Sequence, residues 1–590
     1  MKRMTLPRTA PVLLSVAALA LLGACGSEAP DGADKAPAAE MPVAEDARGA
    51  APEQEPEAPA DAPEPRPLYT LETLVPGGLF KGIHGLTFTR EGRLLVGSVV
   101  GHSIYDVDPE TGESTVYLGP PLGMADDIEQ GPDGTLVWTA FSDGKVYAQA
   151  PDGPVVTIAE GLPGTNSLAF APDGRLFFTQ VFAGDALYEA DPTGETPPRL
   201  IMEGMGGLNG FDFGPDGMLY GPLWFKGQVV RVDVDAGTLE TVADGFGIPA
   251  AVNFDSTGTL YAVDTERGEV VRVEIETGGK TVVAQAPKAI DNLAFSADDR
   301  LFLTVMAENA VYEVNTDDGT LRKVVSSPLS NAADIVLVNR DGAQTLYVAT
   351  AFAVMAVDVA TGELREVGRV FDQDALVDYP IALGADENGL VVVASFASSS
   401  LQPFDSATEA LGPIYHEMPA VTDALPHNGA ILFLDVAAGA LKRAYGEDYA
   451  EIDTIADALA GPVSLIMGTD GAAYVSEYGG AITRIDLDTG EKTNVADDLQ
   501  GPEGLAFAGA GLLGGQLVVA EAGARRIIAI DLESGARTIV AEDLPLGLMP
   551  AENAPPMNLT TGVAVTASGD ILFSSDLDSA IYRLTPSKDP

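Results

Sequence analysis

Apolar and polar residues alternate along residues 206–246 in four short bursts, each set off by a glycine-containing turn. GLNGFDFGPDG (207–217) reads as an inner strand and its turn, and MLYGPLW as a second strand. GQVVRVDVDAG reads as a third strand with its turn, and TLETVADGF as a fourth. Alternation at period two marks half-buried strands, and Asp-Gly pairs supply turns that need positive φ. The opening phrase returns as TNSLAFAPDG (165–174) and AIDNLAFSAD (289–298). No stretch beyond the N-terminal segment holds a helical period. Four antiparallel strands per unit of roughly forty residues describe a propeller blade. The fold class predicted is therefore all-β, as tandem β-propellers.

The residue two places before each inner strand's first apolar residue falls at His84, Asp126, Asn166, Asn209, Ala250 and Asp291. It then falls at Ala333, Tyr379, Val463, Glu503 and Thr561. The first steps are 42, 40, 43, 41, 41 and 42, whereas Tyr379 to Val463 is 84, twice 42. A degenerate blade around PHNGAILFLDVAAG (426–439) accounts for the double step; a long loop in a five-bladed ring is the alternative. The step of 58 from Glu503 to Thr561 fits an enlarged loop, LPLGLMPAENAPPMN. Twelve blades in one ring would leave a wide hole, so two rings of six are the simpler packing. Strand accounting then assigns LYTLETLV (68–75) to close the first ring beside Val311–Val314. That frees LRKVVSS (321–327) to close the second. The expected division is 68–320 for the first propeller and 321–590 for the second.

The chain's start has a different character. Lys2, Arg3 and Arg8 precede the apolar run PVLLSVAALALL, too short for a comfortable membrane span. Leu22-Gly23-Ala24-Cys25 resembles the bacterial lipobox, which implies lipidation of Cys25, the chain's only cysteine, and removal of what precedes it. Gly26 and Ser27 follow with no Asp, the pattern of outer-membrane sorting in the bacterial cell envelope. Residues 26–67, rich in Ala, Pro, Glu and Asp, cannot bury enough apolar surface to fold and read as a tether. Asp plus Glu outnumber Lys plus Arg by 87 to 33, a formal charge of −54. Such a surface repels nucleic acid and concentrates cations.

The units resemble the six-bladed propellers of the senescence-marker, gluconolactonase and luciferin-regenerating-enzyme family. The likeness is carried by TNSLAFAPDG, GLNGFDFGPDG and turns such as VDPETGE and IDLDTGE. It implies a divalent metal, usually Ca²⁺, at the tunnel mouth, held by a Glu, two Asn and an Asp, and hydrolysis of lactones or related esters. Asn166 and Asn209 match the two Asn positions. His84 stands where the family has its Glu, and Ala250 stands where it has its Asp.

The first ring nevertheless places Asp126, Asn166, Asn209 and Asp291 at equivalent strand starts with His84 beside them. Two carboxylates and two amide oxygens form a hard set suited to Ca²⁺ or another divalent cation. His84, Asp126 and Asp291 are the candidate catalytic groups, able to activate water against a small lactone or ester. The matching places of the second ring are too apolar for such a site. His102 reads as a surface turn residue, and His416 and His427 as loop residues. Trp138 and Trp224 read as packing between blades. The D-x-x-T-G segments read as hairpin turns rather than calcium loops. Two alternatives stay open: a non-catalytic scaffold for an envelope protein or glycan, and a metal-assisted lyase.

Overall fold

The structure is a computed structural model that describes residues 68–509, 511–548 and 561–587. Cys25, the lipobox and the tether lie outside the described residues, as do residues 549–560 of the long loop. The described chain forms twelve antiparallel sheets, eleven of four strands and one of three, as expected of propeller blades. The innermost strands of the first six sheets are Leu86–Phe88, Ile128–Gln130, Thr165–Phe170, Asp212–Phe213, Pro249–Phe254 and Ile290–Phe295. Each touches the next, and the last touches the first, so the six form a closed circuit. The other six begin with Ala332–Arg340, Ala382–Ala385, Val421–His427, Pro462–Met467, Pro502–Phe507 and Val563–Val565, and they close in the same way.

Burial explains the order within each sheet. Second strands such as Leu94–Ser98, Leu219–Leu223 and Leu301–Val305 are buried at every position, whereas outer strands such as Ser114–Leu118 are mostly exposed. Apolar residues at the inner end therefore pack between neighbouring sheets while the rim stays polar. The D-x-x-T-G segments are hairpin turns, as expected. In the first of them Asp108 Oδ1 accepts Glu110 N at 2.8 Å and Thr111 N at 2.9 Å, and Gly112 takes φ 75°.

The closing strands are exchanged relative to the expectation. Tyr69–Val75 pairs with Ala580–Pro586 in the last sheet of the second circuit, and Arg583 Nη1 meets Glu72 Oε1 at 3.0 Å. Leu321–Ser326 pairs with Ala310–Val314 and completes the first circuit. Both outer strands are largely exposed, so their pattern cannot choose between partners. Sequence proximity does: Leu321–Ser326 returns over a six-residue hairpin turn, the smaller loop to close. The first circuit thus ends at Ser326 rather than 320, and residues 68–75 belong to the second.

The stretch around 426–439 is not degenerate. It supplies the first hairpin of a complete sheet, Val421–His427, Ala430–Asp435, Ala440–Tyr445 and Glu451–Ala456. The irregular sheet is its predecessor, which has three strands, with Leu411 and Tyr415 bridging singly to Phe404 and Leu401 where a fourth would run.

Candidate active site in the first circuit

At the start of an inner strand the chain slips register against its neighbour, between Thr165 and Leu168 and between Ile290 and Leu293. Such an irregularity re-aims side chains. Here it holds Asn166 and Asp291 within the slipped segment, at the mouth of the first circuit. His84, Asp126, Asn166, Asn209 and Asp291 all line one cavity of about 110 Å³, so the residues singled out by spacing do converge. Ala250, 1 % exposed, contributes no polar group.

Asn166 Nδ2 donates to Asp126 Oδ2 at 2.6 Å. Ser167 Oγ lies 3.0 Å from Asn166 Oδ1 and 3.1 Å from Asn209 Oδ1. Its single proton serves one of these oxygens at a time. Among the described residues Asp291 accepts no hydrogen bond. His84 Nδ1 lies 3.1 Å from the Gly82 carbonyl. That oxygen can only accept, so Nδ1 carries the proton and the neutral ring keeps a bare Nε2 lone pair. Burial lowers the His84 pKa to about 4 despite this bond.

Beneath the mouth lies a second acidic layer that spacing did not single out. Asp127 accepts Ile128 N at 3.0 Å, Leu168 N at 3.3 Å and Asn292 Nδ2 at 3.1 Å. Asp212 accepts Phe213 N at 2.7 Å and Phe254 N at 3.1 Å. Burial raises every acid here. Asp127 goes up to about 7 and Asp212 to about 6, against the pull of their hydrogen bonds. Glu129 rises through burial and then the charges of Asp212 and Asp127. Asp126 rises through burial and then Asp291 and Asp127, and Asp291 through burial and then Asp127. No Lys or Arg lines the cavity. Buried carboxylates without a cationic partner must hold a proton or a metal ion. The doublets Asp126-Asp127 and Asp291-Asn292 were the sequence signal for this layer.

Among the described residues no group of three or more His, Cys, Asp or Glu is placed to hold a metal ion. The donor set at the mouth is mixed instead: the carboxylates of Asp126 and Asp291 and the carboxamides of Asn166 and Asn209. A half-turn of the Asn166 amide would present its oxygen to the cavity in place of its nitrogen. In chemistry this set fits a hard divalent cation.

Several expectations are corrected. Tyr379 does not occupy the second circuit's axis. Leu383 N donates to Asp334 Oδ2 just as Leu465 N donates to Asp423 Oδ2, so Ile381 occupies the register of Val463. The preceding loop carries Tyr379 to the first circuit's cavity, together with Phe352 and Ala397 of the second circuit. Trp224 also lines that cavity, whereas Trp138 is fully buried and donates to Leu122 O at 2.9 Å, as packing requires. His102 stands at a turn but is only 4 % exposed. His427 ends a strand against Asn428, and His416 lines a cleft between the circuits. The second circuit's axis is not apolar either: Asp334, one place beyond Ala333, and Asp423, in the sheet that the spacing passed over, are buried there.

Residues 220–352 match the family described as the SMP-30/gluconolactonase/LRE-like region. The match includes Ala250 and Asp291 but not His84, Asp126, Asn166 or Asn209. No curated protein matches the chain in sequence. Among solved structures it is similar to virginiamycin B lyase from Staphylococcus aureus, at 16 % identity over 48 % of this chain and 96 % of that one, with a TM-score of 0.36. It is also similar to a gluconolactonase from Xanthomonas campestris, at 18 % identity over 41 % of this chain and 88 % of that one, with a TM-score of 0.33.

Asp334 and Asp423 give the fold a pH dependence with a defined sign. Burial raises Asp334 to about 7 and Asp423 well above the ordinary value, the latter also through Asp334. In the unfolded chain both titrate near 4. The stability contributed by their retained protons is complete below about pH 4 and is lost as the pH rises toward about 7. Thermal unfolding in chelator should show Tm falling across this window, with a shallower fall in Asp334→Asn plus Asp423→Asn. An equal slope in parent and variant contradicts the assignment.

Proposed function

We propose that the two circuits are tandem six-bladed β-propellers of the gluconolactonase-like kind, and that the first carries a divalent-cation-assisted hydrolase site for a lactone or ester. The observation that supports this reading most directly is the convergence of His84, Asp126, Asn166, Asn209 and Asp291 on one cavity. Asp126 and Asp291, with the amide oxygens of Asn166 and Asn209, would hold Ca²⁺ or a similar ion. Bound there, the ion supplies Lewis-acid polarisation of a carbonyl. This chain's own part is to orient and to move protons. His84, fixed by the Gly82 carbonyl, turns Nε2 to take a proton from water as the water oxygen bonds to the acyl carbon. The C–O bond to the alkoxide then breaks, and the same proton passes to the leaving oxygen, giving a hydroxy acid or an acid plus alcohol.

Calorimetric titration with Ca²⁺ tests the site. A single saturable site is expected in the parent, weakened at least about tenfold in Asn166→Ala plus Asn209→Ala. No binding by the parent, or equal binding by the variant, overturns the reading and leaves a non-catalytic scaffold for an envelope protein or glycan.

The protein is further proposed to sit on the bacterial outer membrane through lipidated Cys25, with residues 26–67 as tether. Cell fractionation checks this: Cys25→Ser should move the protein from the membrane pellet to the soluble fraction. A variant that stays in the pellet contradicts the anchor.

A further inference from the structure

The cavity has a neighbour. A cleft of about 620 Å³ runs between the two circuits and shares Phe182, Trp224 and Tyr379 with the cavity wall. A space of this size suits a small organic ligand rather than an ion and its waters. Aromatic rings link the two spaces in an unbroken chain. His84 meets Phe352 at 5.5 Å, Phe352 meets Tyr379 at 6.2 Å, and Tyr379 meets Phe371 at 6.2 Å. Phe371 meets Trp224 at 5.7 Å, and Trp224 meets Phe182 at 5.3 Å. Phe352, Phe371 and Tyr379 come from the second circuit and the others from the first.

Three members of this chain are held in a backbone conformation that bulky residues avoid: Phe182 at φ 70°, Phe371 at φ 62° and Tyr379 at φ 46°. Strain of this kind persists only where surrounding structure enforces it, and it gathers at ligand sites. Polar groups along the same surface are left unused. The Tyr379 hydroxyl makes no hydrogen bond to any described residue, although Tyr379 lines the same cavity as Asp126 and Asp291. In the cleft, Gln402 is 4 % exposed and its Nε2 is tied to Leu376 O at 2.9 Å and Gly412 O at 3.0 Å. Its Oε1 is buried with no partner among the described residues.

Charge restricts the ligand. Neither the cavity nor the cleft is lined by Lys or Arg, and the cleft adds Asp374 and Asp378. Even with Lys288 Nζ 3.9 Å from Asp374 Oδ2, an anionic body in the cleft would meet more carboxylate than positive charge.

We infer that the two circuits build one ligand site between them, taking an uncharged ester or lactone with its aromatic or otherwise apolar body in the cleft and its carbonyl head in the cavity. The second circuit is then the specificity-determining wall, and Tyr379 is a positioning residue whose free hydroxyl is available to the head. The inference rests on the hydrolase reading for the chemistry of the head, but binding of the body can be measured without turnover.

The chain has two tryptophans, and Trp138 is fully buried away from the cavity, so a ligand in the cleft reports through Trp224. The probe is 3,4-dihydro-2-quinolinone, a benzo-fused lactam that resists hydrolysis, titrated into the full-length protein and followed by intrinsic fluorescence. A saturable change is expected, abolished in Trp224→Phe. Affinity should fall at least about tenfold in Phe371→Ala through loss of aromatic contact. Tyr379→Phe, which keeps the ring, should weaken the lactam several-fold at unchanged Tm. The anion 3-(2-hydroxyphenyl)propionate, which is ring-opened dihydrocoumarin, should not compete. No saturable response, binding indifferent to Phe371→Ala, or competition by the anion at equal concentration overturns the shared site. If Tyr379→Phe binds the lactam as the parent does, the hydroxyl has no positioning role. Dihydrocoumarin, the corresponding lactone, separates the two readings. Lactam binding without lactone turnover defeats the hydrolase and keeps the site, while turnover unaffected by Phe371→Ala defeats the site and keeps the hydrolase.

Discussion

The strand Tyr69–Val75 closes the second circuit although it precedes every residue of the first, and this obliges the chain to cross between circuits twice. The two crossings lie against each other. Phe80 N donates to Ser327 Oγ at 3.2 Å. Asn309 Oδ1 accepts Gly82 N at 2.9 Å and Ile83 N at 3.2 Å, and Asn309 Nδ2 donates to Phe80 O at 2.6 Å. Gly78 passes so close that a Cβ there would stand 2.0 Å from Ser327 Oγ. Across the same junction Lys288 Nζ meets Asp372 Oδ1 at 2.6 Å, and Arg369 Nη2 meets Glu308 Oε1 at 3.4 Å. With the circuits bound at two crossings and by these ion pairs, Phe352 and Tyr379 are held against the cavity of the first and Phe371 against the adjoining cleft. The proposed site exists because of that constraint.

Buried acids serve two purposes in this protein. Asp127, Asp212, Asp334, Asp423 and Glu503 each accept a backbone N–H from the next sheet's inner strand or its approach, and so stitch neighbouring sheets. Asp126 and Asp291 do not stitch in this way; they face the cavity. The same chemistry thus supplies the frame and the site. What separates them is whether the carboxylate oxygens are already occupied by backbone donors; between Asp126 and Asp127 one residue of register decides it.

Register and partner choice also set how much was legible in the sequence. The unit length, the alternation in half-buried strands and the near-continuous apolar runs of second strands such as Leu94–Ser98, buried at every position, revealed the sheets. The positions of Asp126, Asn166, Asn209 and Asp291 followed from spacing, since equivalent strand starts converge on one axis. The closing strands were assigned the wrong way round, because exposed outer strands carry no pattern that names a partner. Tyr379 was placed on the wrong axis, since the alignment by apolar residues put Ile381 where Leu383 stands. Trp224 and Phe352 could not be read as cavity residues, nor Phe371 as a cleft residue, because their role depends on how one circuit sits against the other.

The central claim is that side chains from separate sheets of the first circuit gather around one cation. Crystals of the protein grown with Mn²⁺, measured at a wavelength where manganese scatters anomalously, test it most directly. The account predicts an anomalous peak among Asp126, Asn166, Asn209 and Asp291, with oxygen ligands at distances ordinary for such an ion. Ordered density for all four side chains with no peak between them, at manganese concentrations that load other sites, would contradict it.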